Sequence, residues 1–162
     1  METPKARERL KRFCVGNGVD LGFGGDPIVP QSITIDIAPE TKPNLLGDAS
    51  DLYWFRNSSL DYVYSSHLLE DFEDTKFILK EWLRVIKPGG YLVLFCPDEK
   101  IYLKHCTRTG QAYNQDHKIT EFGLEYIKNI LNNGFFGGQF NIVYETELID
   151  EYSFDLVLKK SL

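Results

Sequence analysis

The chain has 162 residues, 43% of them apolar, enough for one domain with a substantial core and not for two. No apolar run approaches the roughly 20 residues a membrane span needs, and the charged stretch Met1 to Arg12 does not read as a secretory signal. A net charge of −6 argues against nucleic acid as the main partner, since such binders present basic surface.

Charge is unevenly placed: residues 1–12 hold five basic and two acidic side chains, and residues 36–81 hold ten acidic and four basic. A solvated surface accounts for most of this. Cys14, Cys96 and Cys106 form an odd set without CxxC or Cys/His spacing, so neither a disulfide framework nor a zinc site is indicated. That usage suits a reducing cytoplasm.

In chain order, residues 2–12 predict a short leading helix with Leu10 and Phe13 as its apolar contacts. A strand at 18–21 then runs into Gly22-Phe23-Gly24-Gly25, and the β-branched run 33–37 predicts a second strand. Only seven residues separate Ile37 from Leu45, so the usual helix after strand two is largely missing and strand three should be an edge remnant or absent. Strand 60–65, helix 73–87 and strand 91–96 form a right-handed parallel βαβ unit. Ile78, Trp82, Val85 and Ile86 recur at helical spacing, and Lys87-Pro88-Gly89-Gly90 stops that helix.

Residues 98–118 read as a long loop, the kind that commonly carries function. A further helix is expected over 120–131, with Thr120 at its N-cap and Asn133-Gly134 as its stop. The runs 140–147 and 152–159 are separated by four residues, too few for a parallel crossover, and so form an antiparallel hairpin. The predicted fold class is α/β: a three-layer, Rossmann-like, mostly parallel sheet ending in that hairpin.

Asp20-Leu21-Gly22-Phe23-Gly24-Gly25-Asp26 follows a strand, where glycines let backbone N–H groups approach a ligand. Asp36 stands at the end of the next strand, placed to accept hydrogen bonds from both hydroxyls of a ribose. The dinucleotide fingerprint fails here. Its third glycine falls at Pro27, which lacks an N–H, and nine residues leave room for only one helical turn. A nucleoside cofactor without a pyrophosphate fits better than a nicotinamide dinucleotide.

These motifs resemble those of the class I S-adenosylmethionine-dependent methyltransferases, in the compact type-11 form, over about 16–160 as one domain. By that resemblance Asp20, Gly22, Phe23, Gly24 and Gly25 form the loop facing the cofactor's methionine part, and Asp36, followed by Ile37, holds the ribose. Gly47-Asp48-Ala49 resembles the adenine-reading segment, with Asp48 on the exocyclic amine and the Ala49 backbone on a ring nitrogen. Ser65-Ser66-His67-Leu68-Leu69-Glu70 resembles the end of strand four that lines the amino-acid end, where Ser65 and Ser66 would touch the cofactor. Residues 84–90 resemble the structural turn before strand five. Two departures stand out: Asp26 replaces a glycine, and Asp71 stands where many relatives carry a second histidine.

The resemblance implies S-adenosylmethionine as cofactor and methyl transfer to a small molecule, such as a sugar or metabolite hydroxyl. No metal is implied. Methyl transfer needs near-attack geometry more than a catalytic triad, and the base candidates are His67 and His117, the latter beside Asp116. His67 also reads as a packing residue. His105 and Asp98 are weaker candidates, and Tyr102 and Tyr113 could cover the pocket. A non-catalytic accessory protein and a nicotinamide-dependent oxidoreductase stay open as alternatives, and the hairpin edge with 22 aromatic residues would permit a homodimer.

Overall fold

The computed structural model describes residues 2–133 and 136–162. Among these, seven strands form one sheet: β1 (Gly18–Leu21), β2 (Ile33–Asp36), β3 (Leu45–Leu46), β4 (Leu60–Ser66), β5 (Ile86–Pro97), β6 (Phe140–Ile149) and β7 (Ser153–Lys160). Their order is β3-β2-β1-β4-β5-β7-β6. The first five are mutually parallel, while β7 is antiparallel to both β5 and β6. The expected hairpin is present, and β3 is the two-residue edge remnant foreseen from the short connection.

Alternation along the central strands divides the core into two layers, because successive side chains leave opposite faces. Val19, Leu21, Val63, Leu92, Leu94 and Leu156 face helix α2 (Thr75–Val85) and helix α4 (Leu124–Asn132). Tyr62, Tyr64, Val93, Phe95 and Val157 face α1 (Thr3–Leu10), which contributes Ala6 and Leu10 beside Cys14 and Ile28. The Arg9 guanidinium of α1 pairs with the fully buried Asp155 carboxylate of β7 at 2.8 Å.

Helix α2 buries Ile78, Leu79, Trp82 and Leu83 as its spacing requires, and Asp74 caps it by accepting from the Phe77 N–H. It starts two residues later than the acidic run suggests. Residues 87–90 do stop it, but as an irregular opening of β5: Leu60 and Tyr62 of β4 face Ile86 and Tyr91, with Gly89 at φ +80°.

Two expectations fail. Residues 98–118 are not one loop, because Glu99–Thr109 is helix α3. Asp98 caps it by accepting from the Ile101 N–H, and Gly110, at φ +76°, ends it. Helix α4 begins at Leu124 and not at Thr120, which lies in the preceding turn; its N-cap is Gly123, without a side-chain cap. The Phe122 carbonyl is already taken by the Glu99 N–H, which anchors this turn on α3. The proposed stop residue Gly134 lies outside the described residues. No described helix is long and apolar enough to cross a membrane.

Candidate functional site

The chain leaves β1 toward β2 on one side, while β4 lies on the other, so a crevice opens beyond the C-terminal ends of these strands. It holds a cleft of about 340 Å³, a size typical of small-molecule sites. Gly22, Asp36, Ile37, Gly47, Asp48 and Ala49 form one wall, and Leu68, Asp71, Phe72, Asp116 and Lys118 the other.

The glycine loop is shaped by need. Gly22 has φ +64°, and its N–H donates to the Ile35 carbonyl at 2.8 Å. A Cβ there would stand 2.9 Å from a Leu68 methyl, so glycine lets the end of β4 close on the loop. Phe23 is buried, whereas Gly24 and Gly25 are exposed. Asp36 binds the loop directly: Oδ2 accepts from the Gly24 N–H (3.0 Å) and Oδ1 from the Ala38 N–H (2.9 Å). Each oxygen keeps a further lone pair toward the cleft.

Ile37, 73% exposed, is a bare apolar surface beside that carboxylate. Asp48 is exposed and accepts from the Ser50 N–H at 2.7 Å. Ala49 is buried, and its carbonyl accepts from the Trp82 indole N–H at 2.8 Å, so α2 fixes this wall. A residue larger than glycine at 47 would run into Trp54, whose ring lies 2.3 Å from where a Cβ would be.

Asp20 works behind the loop and is not among the cleft-lining residues. Its carboxylate is fully buried, with Oδ2 accepting from the Ile28 N–H at 2.6 Å. Burial pushes it up to about 7. Asp26, where a glycine was expected, pairs with Arg7 at 2.5 Å and ties the loop to α1. Ser65 and Ser66 are buried at the end of β4.

The two histidines occupy different settings. His67 sits at φ +49°, with its ring against Phe95 and Tyr152 and Nε2 3.2 Å from the Ser153 hydroxyl. Burial holds it down at about 4, a weak base. The His117 side chain is 5% exposed and lies against the second wall, between cleft residues Asp116 and Lys118. Its Nδ1 bonds to Glu99 of α3, whose other oxygen accepts from the Tyr113 hydroxyl at 2.6 Å. Its Nε2 faces Glu70 (3.8 Å) and Asp71 (4.0 Å). The partners of His117 are therefore Glu99, Glu70 and Asp71, whereas the sequence suggested its neighbour Asp116.

Glu70 is fully buried, and burial together with Asp71 and Glu99 holds its carboxyl well above the usual range. Asp71 is raised by its burial too. Among the remaining candidates, Asp98 serves as a helix cap, and Tyr102 stacks among Tyr113, His117 and Tyr152. His105 packs on Tyr152 near Glu151. Sequence reading missed Phe72, Glu99 and Lys118 as site residues, and took Leu68 and Asp116 only as neighbours of His67 and His117. Of these, only Glu99 carried a local signal, as the first residue after a capping aspartate.

With this geometry in place, residues 28–94 match the family described as a methyltransferase domain. No curated protein matches the sequence. Among solved structures, an S-adenosylmethionine-dependent methyltransferase from Archaeoglobus fulgidus superposes with TM-score 0.71 at 18% identity, covering 98% of this chain and 94% of that one. The N-methyltransferase NodS from Bradyrhizobium japonicum gives 0.64 at 16%, covering 98% of each chain. A chain from the complex of the Haloferax volcanii Trm112 methyltransferase activator with a methyltransferase gives 0.70 at 16%, covering 100% and 92%.

At these identities the superpositions establish the fold. It is the fold of the class I S-adenosylmethionine-dependent methyltransferases. The resemblance carried by the motifs is borne out in two respects: residues 28–94 match a methyltransferase domain, and the chain takes the fold that the similar structures share.

Proposed function

We propose that the chain binds S-adenosylmethionine in the cleft and transfers its methyl group to a small-molecule acceptor. The observation that carries this reading is the Asp36 carboxylate, held at the end of β2 by two backbone N–H groups beside the exposed face of Ile37. The residues present fit such a group: two free acceptor positions suit a ribose diol, and Ile37 with Ala49 suits a flat base. Asp48 and the Ala49 backbone read the adenine. The loop Gly22–Gly25 turns its backbone toward the amino-acid end, with Asp20 bracing it from behind and Ser65 and Ser66 below.

When bound, the cofactor supplies an activated methyl group that a nucleophile displaces in line. The protein's part is to hold both partners and exclude water. The wall formed by Phe72, Asp116 and Lys118 bounds the acceptor, and His117, while its Nε2 carries no other ligand, is the base candidate for its proton. His67, low in basicity and packed on Phe95, orients the end of β4. Among the described residues no helix lies between β1 and β2, which disfavours a dinucleotide.

Calorimetry with S-adenosylhomocysteine and with NAD tests the reading: binding of the former alone is expected, and binding of NAD alone refutes it. A protein partner is a second reading. It is favoured by the Trm112 complex among the similar structures and by Ile142, Val143 and Leu148 left exposed on edge strand β6. Light scattering of the purified protein distinguishes a self-associated form from a monomer awaiting another chain.

A further inference from the structure

We propose that Glu70, Asp71 and His117 form a site for one divalent transition-metal ion in the wall of the cleft. One ligand atom from each lies within 4.8 Å of the others. The Nε2 to carboxylate separations of 3.8 and 4.0 Å are too long for hydrogen bonds. They are close to the spacing of donors that share an ion at about 2.0–2.2 Å from each.

The independent observation is Glu70 itself. It is fully buried, and neither of its carboxylate oxygens has a hydrogen-bond partner on another described residue. The buried Asp71 Oδ1 is in the same condition. Buried polar atoms are nearly always satisfied, and a carboxyl left without a partner is costly. Two of these oxygens, Glu70 Oε1 and Asp71 Oδ1, converge on the His117 Nε2, and a cation between the three atoms accounts for them. His67 Nδ1 approaches Glu70 from another side at 3.8 Å, but its Nε2 is engaged with Ser153.

The imidazole is already set for ligation. His117 Nδ1–H donates to Glu99, which fixes the tautomer with the Nε2 lone pair facing Glu70 and Asp71. Glu99 is in turn held by the Tyr113 hydroxyl. This carboxylate–histidine arrangement is the usual support behind a metal-ligating imidazole. Two carboxylates also neutralise a divalent ion. One nitrogen and two oxygen donors favour zinc, cobalt, manganese or ferrous iron over calcium or magnesium.

Asp71 belongs to the cleft wall together with Asp116 and Lys118, so one of the three ligands adjoins the cleft. Resting on the methyltransferase reading, an ion there selects acceptors that offer an oxygen or another anionic donor. Sequence spacing hides the site, because the three ligands come from the end of β4 and from a loop beyond α3.

The test uses the full chain, freed of metal by a chelator, without cofactor. Calorimetric titration with Zn²⁺ and visible absorption on adding Co²⁺ are expected to show one saturable equivalent. Glu70→Gln and His117→Ala should abolish it, while His105→Ala leaves it unchanged. Glu99→Gln should weaken it about 10- to 100-fold, as expected for loss of a supporting partner. Circular dichroism melts in chelator establish that each variant is folded, and Glu70→Gln keeps the shape of the buried side chain. Absence of one-to-one binding by the unaltered chain overturns the proposal, as does equal binding by folded Glu70→Gln and His117→Ala. Binding of S-adenosylhomocysteine is measured separately, so a failure of this site is distinguishable from a failure of the cofactor reading.

Discussion

Replacing Asp36 by alanine is the most direct test of the cofactor site. The carboxylate spends one lone pair per oxygen on Gly24 and Ala38, leaving one per oxygen for a ribose hydroxyl. Hydrogen bonds to a charged group contribute about 1.5–3 kcal/mol each, so losing two costs about 3–6 kcal/mol. That corresponds to a rise in Kd of about 10²- to 10⁴-fold. The fold should tolerate the change, since Gly24 is exposed and its freed N–H can be solvated. Asp36→Asn retains one acceptor and should fall between. Calorimetry with S-adenosylhomocysteine reads the affinity, and a thermal melt checks that the variant is folded. A folded Asp36→Ala variant whose Kd stays within about threefold of the unaltered chain, a difference under 1 kcal/mol, refutes the placement of the ribose.

Asp20 gives a pH prediction. Burial raises it to about 7, so the folded state holds its proton more tightly than the unfolded chain does. The associated stability is full below about pH 4 and is lost as pH rises through about 7. Asp20→Asn keeps an acceptor for the Ile28 N–H without this titration. It should therefore melt higher than the unaltered chain at pH 8, and parallel Tm profiles from pH 5 to 8 would contradict the assignment. Trp82→Phe preserves an aromatic ring in the core but leaves the buried Ala49 carbonyl without its donor. A loss of about 1–3 kcal/mol is expected, seen as a lower Tm together with weaker S-adenosylhomocysteine binding. Unchanged values of both would show that the indole N–H does not hold the wall.

What could be read beforehand followed the strength of the local pattern. The unit from β4 through α2 to β5 was legible because Ile78, Leu79, Trp82 and Leu83 make an unbroken stripe and residues 91–96 an unbroken apolar run. Helix α3 escaped because its buried face is Tyr102, His105 and Cys106, residues that do not announce a core, and its cap Asp98 looked like a chemical group. The wall proposed for the cofactor was legible because Gly22, Asp36 and Asp48 follow or end successive strands. The cluster around His117 was not, since Glu70 and Glu99 approach it from other elements, and the loop after α3 meets residues 69–71 only in the folded chain, where the Lys118 N–H donates to the Glu70 carbonyl. Asp116 adjoins His117 in sequence, but it is not among the groups found against the ring.

Strand β7 is the last of the seven in sequence, yet it lies inside the sheet. It pairs with β5 from Tyr91 and Lys159 to Pro97 and Ser153, and β6 reaches the sheet only through it. During synthesis the five parallel strands must therefore wait with an open edge at β5 until residues 153–160 emerge, and β6 and β7 then dock together. The ion pair between Arg9 and Asp155 spans 146 residues and forms only at that step, so α1 gains this anchor late as well. Closures over such separations are slow. A nascent chain stalled before β7 presents the unpaired backbone of β5 to other chains. Assembly of this molecule is thus gated by its final strand, and that strand is where aggregation and folding compete.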